Sequence, residues 1–274
     1  MSADDREPEE REPDQPGYDT IRIDTEGGVA VLRLNRPDKR NALSSALRRE
    51  VVEALDRLEE DDDIRAVIVT GEGDEAFAAG ADVKEFSERT GAEQRESMEG
   101  RSIFDAVAAF PKPILAAIHG YCLGGGSELA LACDVRIADR TARFGQPEVR
   151  IGLIPGGGGT QRLASLVGYG QALRICLTGD FVDAEEAYRI GLVEFLVDEG
   201  DHLEKAREVA GRMMRWSPVA LQLIKQAVRS APDVSLTGGL ELERELFLTA
   251  FESEDGQEGI SAFVEKRDPD ITGK

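Results

Sequence analysis

The sequence predicts an α/β protein whose C-terminal third is helical, on three observations. Short apolar runs recur, "IRAVIVTG", "KPILAAIHG" and "DVRIAD", each the length of a strand covered on both faces. Helical stretches separate these runs, an order that implies parallel strands joined by right-handed crossovers. After residue 159 the pattern turns almost wholly helical.

The elements follow in order. The first 17 residues, "MSADDREPEEREPDQPG", hold seven acids and two arginines and read as an acidic, disordered leader (1–17). Residues 18–200 then form the α/β core and 201–274 a helical subdomain. Alternation across residues 19–35 predicts a hairpin. "SSALRREVVEALDRLEEDDD" sets Leu47, Val51, Leu55 and Leu58 on one helical face, with Ser44 as its cap. A loop, "EGDEAFAAGAD", leads into helical "VKEFSER", and residues 92–109 form another helix. "TQRLASLVG", "YGQALRICLTG" and "DAEEAYRIG" are short helices that stop at glycine, and "LVEFLVD" is a strand. From Asp201 onward three amphipathic helices follow, with Gly238 and Gly239 inside the last. No internal repeat is visible.

Composition narrows the class. Hydrophobic residues are 41% and aromatics 5%, so the core rests on Ala, Val, Leu and Ile. Net charge is 33 − 54 = −21, of which the leader carries −5, leaving −16 on the remainder. That field argues against nucleic acid and anionic membrane as partners. It suits either a protein soluble in concentrated salt or an ordinary acidic enzyme. Cys122, Cys133 and Cys176 are odd in number and lack a CxxC spacing, as expected of reduced thiols in a cytoplasmic protein. Two histidines, His119 and His202, are too few for a His-rich metal site, so no metal is expected. The N-terminus has no basic-then-apolar signal pattern. Residues 113–133 are apolar but contain His119, Glu128 and four glycines within seven residues, which fits a buried strand–turn–helix better than a membrane span.

Four stretches carry chemistry. In "GYCLGGGSELALACD" (120–134), three glycines precede Glu128, a carboxylate followed by apolar "LALAC". Glycine weakens regular structure, and a buried carboxylate is costly unless hydrogen-bonded, so the combination marks a site. A turn at Gly124–Gly126 running into a helix would leave N–H groups free to polarise a carbonyl oxygen. In "AFAAGADVKEF" (76–86), small residues allow a ligand to approach the backbone, and Asp82 can begin a helix. In "GQPEVRIGLIPGGGGTQRL" (145–163), Glu148 follows Pro147, and the run Gly156–Gly159 lacks the Lys-Ser/Thr of a phosphate loop and the spacing of a dinucleotide fingerprint. In "LNRPDKRNALS" (34–44), Lys39 and Arg40 form a basic spot in an acidic chain.

Taken in order, these four stretches, with "LTGDFVDAEEAYRIGLV" and "GISAFVEKR" further on, resemble the signature segments of the enoyl-CoA hydratase/isomerase (crotonase) family across residues 19–267. The resemblance implies a crotonase-like spiral of β-β-α units with a C-terminal helical subdomain that oligomerises into trimers or hexamers. It implies an acyl-CoA substrate, with CoA as part of the substrate and no separate cofactor. The thioester oxygen would sit between the N–H groups of Ala81 and Gly125. Glu128 and Glu148 would be the catalytic pair, hydrating a trans-2-enoyl-CoA to a 3-hydroxyacyl-CoA. Lys39, Arg40, Ala79, Asp82, Val83, Lys84 and Gly124 match positions along the CoA ester, and Lys266 matches one that a neighbouring subunit offers to CoA phosphates. Enoyl-CoA isomerase or another lyase of the family is the alternative activity, and a non-catalytic scaffold or RNA-binding relative the alternative class. The retained glutamate pair and the net charge of −21 weigh against the latter.

Overall fold

The computed structural model describes residues 17–87 and 89–274. Apart from Gly17, the acidic leader lies outside the described residues. Strands β1 (Ile21–Glu26) and β2 (Val29–Leu34) form the expected hairpin. Its turn is Gly27-Gly28, both at positive φ (57° and 81°), which is the two-residue turn whose twist matches the strands. Helix α1 (Ser45–Glu60) is capped by Ser44, whose hydroxyl accepts from the Leu47 N–H, and it buries Leu47, Val51, Leu55 and Leu58.

Three β-β-α units follow, although no repeat shows in the sequence. The first runs β3 (Ala66–Gly71), β4 (Ala76–Ala78), then α2 (Val83–Ser87), α3 (Gly91–Ser97) and α4 (Ile103–Ala109). The second is β5 (Ile114–Ile118), β6 (Tyr121–Leu123) and α5 (Gly125–Ala132). The third is β7 (Val135–Asp139), β8 (Arg143–Gly145), a 3-10 turn (Pro147–Ile151) and α6 (Gly159–Thr178). In each, the first strand joins a six-stranded sheet and the second joins a four-stranded one. Strands β9 (Val182–Asp183) and β10 (Phe195–Val197), with α7 (Ala184–Arg189) between them, complete orders β1-β2-β3-β5-β7-β10 and β4-β6-β8-β9. From β2 to β10 the large sheet is parallel. Helices α8 (His202–Met213), α9 (Pro218–Ser230), α10 (Leu236–Glu252) and α11 (Glu254–Glu265) end the chain.

The inner strands of the large sheet, β2, β3, β5 and β7, are buried on both faces, as their continuous apolar runs predict. Leu32, Leu34, Val67, Val69, Ile114 and Ala116 face one core with α1, α4 and α5. Val31, Ala66, Ile68, Leu115 and Ile137 face a second, closed by Ala206, Val209 and Ala210 of α8. Helix α8 therefore packs on the sheet, while α9, α10 and α11 bury far less. Cys122 and Cys133 are buried and Cys176 half-buried, all as free thiols. Among the described residues, no helix is long and apolar enough to cross a membrane.

Two expectations are corrected. The single helix over 92–109 is two, because Gly100 adopts φ 86° and Ser102 starts α4 by accepting from the Asp105 N–H. The small sheet was unforeseen: its strands are two or three residues long, too short for alternation to register. The break foreseen between "TQRLASLVG" and "YGQALRICLTG" is a kink in α6 at Gly168 (φ 77°, ψ 160°).

Where β7 ends, the buried Asp139 ties the second core together. It accepts from the N–H and hydroxyl of Thr141 and from the Gly200 N–H, and lies 3.0 Å from His202 Nδ1 at the start of α8. Burial alone would raise its pKa, but these partners, His202 first, outweigh burial and hold it at about 2. A folded-state pKa below the unfolded value gives stability that is present above the ordinary Asp range and lost as pH falls through about 2. Asp139→Asn is therefore expected to lower the melting temperature at neutral pH. Thermal melts should show the gap to wild type closing as pH falls from about 4 to about 2.

Candidate active site

The site forms where β6 turns into α5. Gly124 has φ 50° and ψ −123°, a conformation open in practice only to glycine. A Cβ on Gly126 would lie 2.0 Å from the Ala78 carbonyl oxygen, so α5 begins in direct backbone contact with β4. This closeness brings Gly125 to the loop after β4, where its Cβ position would be 3.5 Å from the Ala81 nitrogen. In that loop, Leu43 donates to the Gly80 carbonyl and accepts from the Asp82 N–H, which turns the Ala81 N–H the other way. Among the described residues, neither the Ala81 nor the Gly125 N–H has an acceptor. Both residues line a cavity of about 1810 Å³.

Glu128, on the first turn of α5, is 3% exposed. Its Oε1 accepts from the Gly157 N–H at 2.7 Å and the Gly159 N–H at 2.8 Å. This is the role of the glycine run that fits neither nucleotide motif. A Cβ on Gly157 would meet the Phe104 ring at 2.3 Å, so the loop can deliver its amide only as glycine. Burial pushes the Glu128 carboxyl above its ordinary pKa, opposed by the two N–H bonds and the charges of Arg162 and Arg48.

Glu148 sits in the 3-10 turn, placed there by Pro147 at its start. Its Oε1 lies 2.7 Å from where a Gly124 Cβ would be, a second reason for glycine at that position. Its Oε2 is buried with no partner. Burial, with the like charge of Glu128, raises the carboxyl to about 7 against its own backbone N–H. Two carboxyl groups thus border one cavity, one held by two amides and the other left without a partner on one oxygen.

Of the other residues read from the sequence, Ala79, Val83 and Gly124 line this cavity. Lys39 and Arg40 line a smaller depression that Ala79 also borders. Arg40 pairs with Glu75 at 2.7 Å and lies over the Tyr121 ring. The Asp82 carboxylate is engaged by Arg36 at 3.0 Å. Lys84 is exposed on α2 and Lys266 ends α11, and neither lines either depression. Sequence reading missed Gln146, 1% exposed with no partner for its amide, and Arg48, which faces the cavity from α1. Gln146 carried a signal, since it adjoins the Pro-Glu that marked the stretch.

The electrostatics can be measured directly. In protein with 13C-labelled glutamate carboxyls, one resonance should titrate with a midpoint of about 7 and vanish in Glu148→Gln. In Glu128→Gln that midpoint should fall, because a like charge is gone. A carboxyl whose folded pKa is raised contributes stability below its unfolded pKa that is lost as pH rises through the folded one. Glu148→Gln should therefore melt higher than wild type at alkaline pH, with the gap narrowing toward pH 4.5.

Comparison with known proteins places this geometry. The family model for enoyl-CoA hydratase/isomerase matches residues 24–274. The short-chain-enoyl-CoA hydratase of Clostridium acetobutylicum is 42% identical over 89% of this chain and 94% of its own. The 2,3-dehydroadipyl-CoA hydratase of Escherichia coli is 44% identical over 90% of this chain and 96% of its own. The crystal structure of an enoyl-CoA hydratase from Bacillus anthracis superimposes with a TM-score of 0.88 at 40% identity, covering 93% of this chain and all of that one. With the two-sheet spiral of β-β-α units and the glycine-shaped pair of carboxylates already in place, these matches make the chain a member of the enoyl-CoA hydratase/isomerase family, with the crotonase fold.

Proposed function

We propose that this protein is an enoyl-CoA hydratase that adds water syn across the double bond of a trans-2-enoyl-CoA to give a 3-hydroxyacyl-CoA in acyl-CoA breakdown. The observation that carries this reading is the unequal pair of buried carboxyls beside two unclaimed backbone N–H groups. The Ala81 and Gly125 amides receive the thioester oxygen as it becomes enolate-like. Losing one donor of this kind costs about 2.7–4 kcal/mol in comparable sites. Glu128, whose two N–H bonds oppose the upward push of burial, takes a proton from the water whose oxygen attacks C3. Glu148, whose raised pKa keeps its carboxyl protonated to near neutrality, delivers a proton to C2. Acid and base are thus told apart by environment alone. The mechanism asks for no metal or redox cofactor, since CoA belongs to the substrate.

The depression at Lys39 and Arg40 suits the adenosine end of CoA, with Ala79 and Val83 along the pantetheine. Lys266 lies outside both depressions and reaches CoA only from a neighbouring subunit, which fits a homotrimer or hexamer. Exposed apolar side chains on α10 and α11, Phe247, Phe251, Phe263 and Val264 among them, supply the surface for assembly. A cytoplasmic location suits the acidic chain and its free thiols.

Glu128→Gln and Glu148→Gln are each expected to lower kcat for crotonyl-CoA hydration by at least about 10²-fold, with smaller changes in KM. Near-full hydration by Glu148→Gln would overturn the two-carboxyl mechanism. For wild type, kcat/KM should fall as pH rises through about 7, where the free enzyme's Glu148 loses its proton. Light scattering should give a multiple of 29.8 kDa; a monomer alone would contradict the assembly.

A further inference from the structure

The cavity wall contains a cation with no assigned role. Arg48, on α1, lines the main cavity, and its Nε is buried without a partner among the described residues. Its two acidic neighbours are already engaged. Glu85 accepts from the N–H and hydroxyl of Ser45 and from Arg89, and Glu128 accepts from Gly157 and Gly159. Burial pushes the Arg48 guanidinium below its ordinary pKa, as expected of a desolvated charge without a counter-ion of its own. The chain has 54 acidic and 33 basic side chains, so carboxylates are plentiful. Arg65, by contrast, also lacks a carboxylate but donates to the Met214 and Trp216 carbonyls. A half-buried guanidinium without an anion is costly, and a ligand carboxylate would relieve that cost.

The position of Arg48 says which part of a ligand it would meet. Ala79 borders both the main cavity and the depression at Lys39 and Arg40. With CoA leaving through that depression and the thioester at Ala81 and Gly125, the acyl chain extends the other way. The main cavity, unlike the depression, is lined by apolar Phe86, Met98 and Ile154 together with polar Arg48, Arg89 and Gln94. Apolar side chains and a cationic patch in one cavity fit a chain that ends in an anion.

We infer that the acyl end of the cavity selects enoyl-CoA esters whose chain carries a terminal carboxylate, which pairs with Arg48. The inference rests on the hydratase reading above. Arg89, already paired with Glu85, adds positive potential without being the direct partner.

The test compares trans-2-hexenedioyl-CoA with trans-2-hexenoyl-CoA, which differ in the terminal carboxylate. Wild type should prefer the diacid ester by at least about tenfold in kcat/KM, and Arg48→Met should abolish that preference chiefly through KM. Arg48→Lys should retain part of it. A merely structural role for Arg48 would lower both substrates alike and leave their ratio intact, which would overturn the inference. A measurement on wild type alone guards against a misfolded variant: adipyl-CoA should inhibit crotonyl-CoA hydration at least about tenfold more tightly than hexanoyl-CoA. Equal inhibition, or hexenoyl-CoA as the better substrate, would overturn the inference while leaving the hydratase reading in place. Inactivity toward all three enoyl esters would overturn both.

Discussion

A carboxylate buried at the start of a helix, held by two amides from a distant loop, is the interaction on which the rest of this structure depends. Glu128 comes from the second β-β-α unit and its donors, Gly157 and Gly159, from the end of the third. An ionised carboxylate in an apolar setting is costly without such donors. To reach it the loop must pass over Phe104 with no side chain at Gly157, and α5 must begin against β4 with none at Gly126. The packing that secures the acid also brings the Ala81 and Gly125 amides side by side. The small sheet, with strands of two or three residues, is the scaffold that makes this approach possible.

The same burial separates the two glutamates. Both are desolvated, but Glu128 receives two N–H bonds and the influence of Arg162 and Arg48, whereas Glu148 keeps an oxygen with no partner and faces the charge of Glu128. Glu148 is thereby raised to about 7, while the donors on Glu128 oppose the same push, so the two carboxyls differ in environment as the proposed acid and base require. The arrangement also opposes folding, since a buried carboxyl with a partnerless oxygen destabilises the native state once ionised. The cores on either face of the large sheet, closed by α1, α4 and α5 on one side and α8 on the other, offset that cost.

Much of this is legible in the sequence, for identifiable reasons. The hairpin announces itself through Gly27-Gly28, α1 through Ser44 and its apolar stripe, and Glu128 through glycines before and apolar residues after it. What escapes is information held in three dimensions. Strands of two or three residues are too short to show a period. The break between α3 and α4 depends on one glycine, Gly100, and one cap, Ser102, competing with helical pattern on both sides. The glycine run 156–159 can be excluded as a phosphate loop from spacing, but its role as holder of Glu128 depends on a contact 29 and 31 residues away. Arg48 and Gln146 look ordinary in sequence. Only burial without partners distinguishes them.

In the mechanism proposed above, the oxygen of a water goes to C3 and a carboxyl proton goes to C2 of a conjugated thioester. Crotonyl-CoA turned over in H₂¹⁸O and, separately, in D₂O, with the product read by mass spectrometry and NMR, puts that assignment to the test. The expected product is 3-hydroxybutyryl-CoA carrying ¹⁸O at C3 and one deuterium at C2, placed on the face that took the hydroxyl. A product with a shifted double bond and no ¹⁸O, or with deuterium on the opposite face, would contradict it.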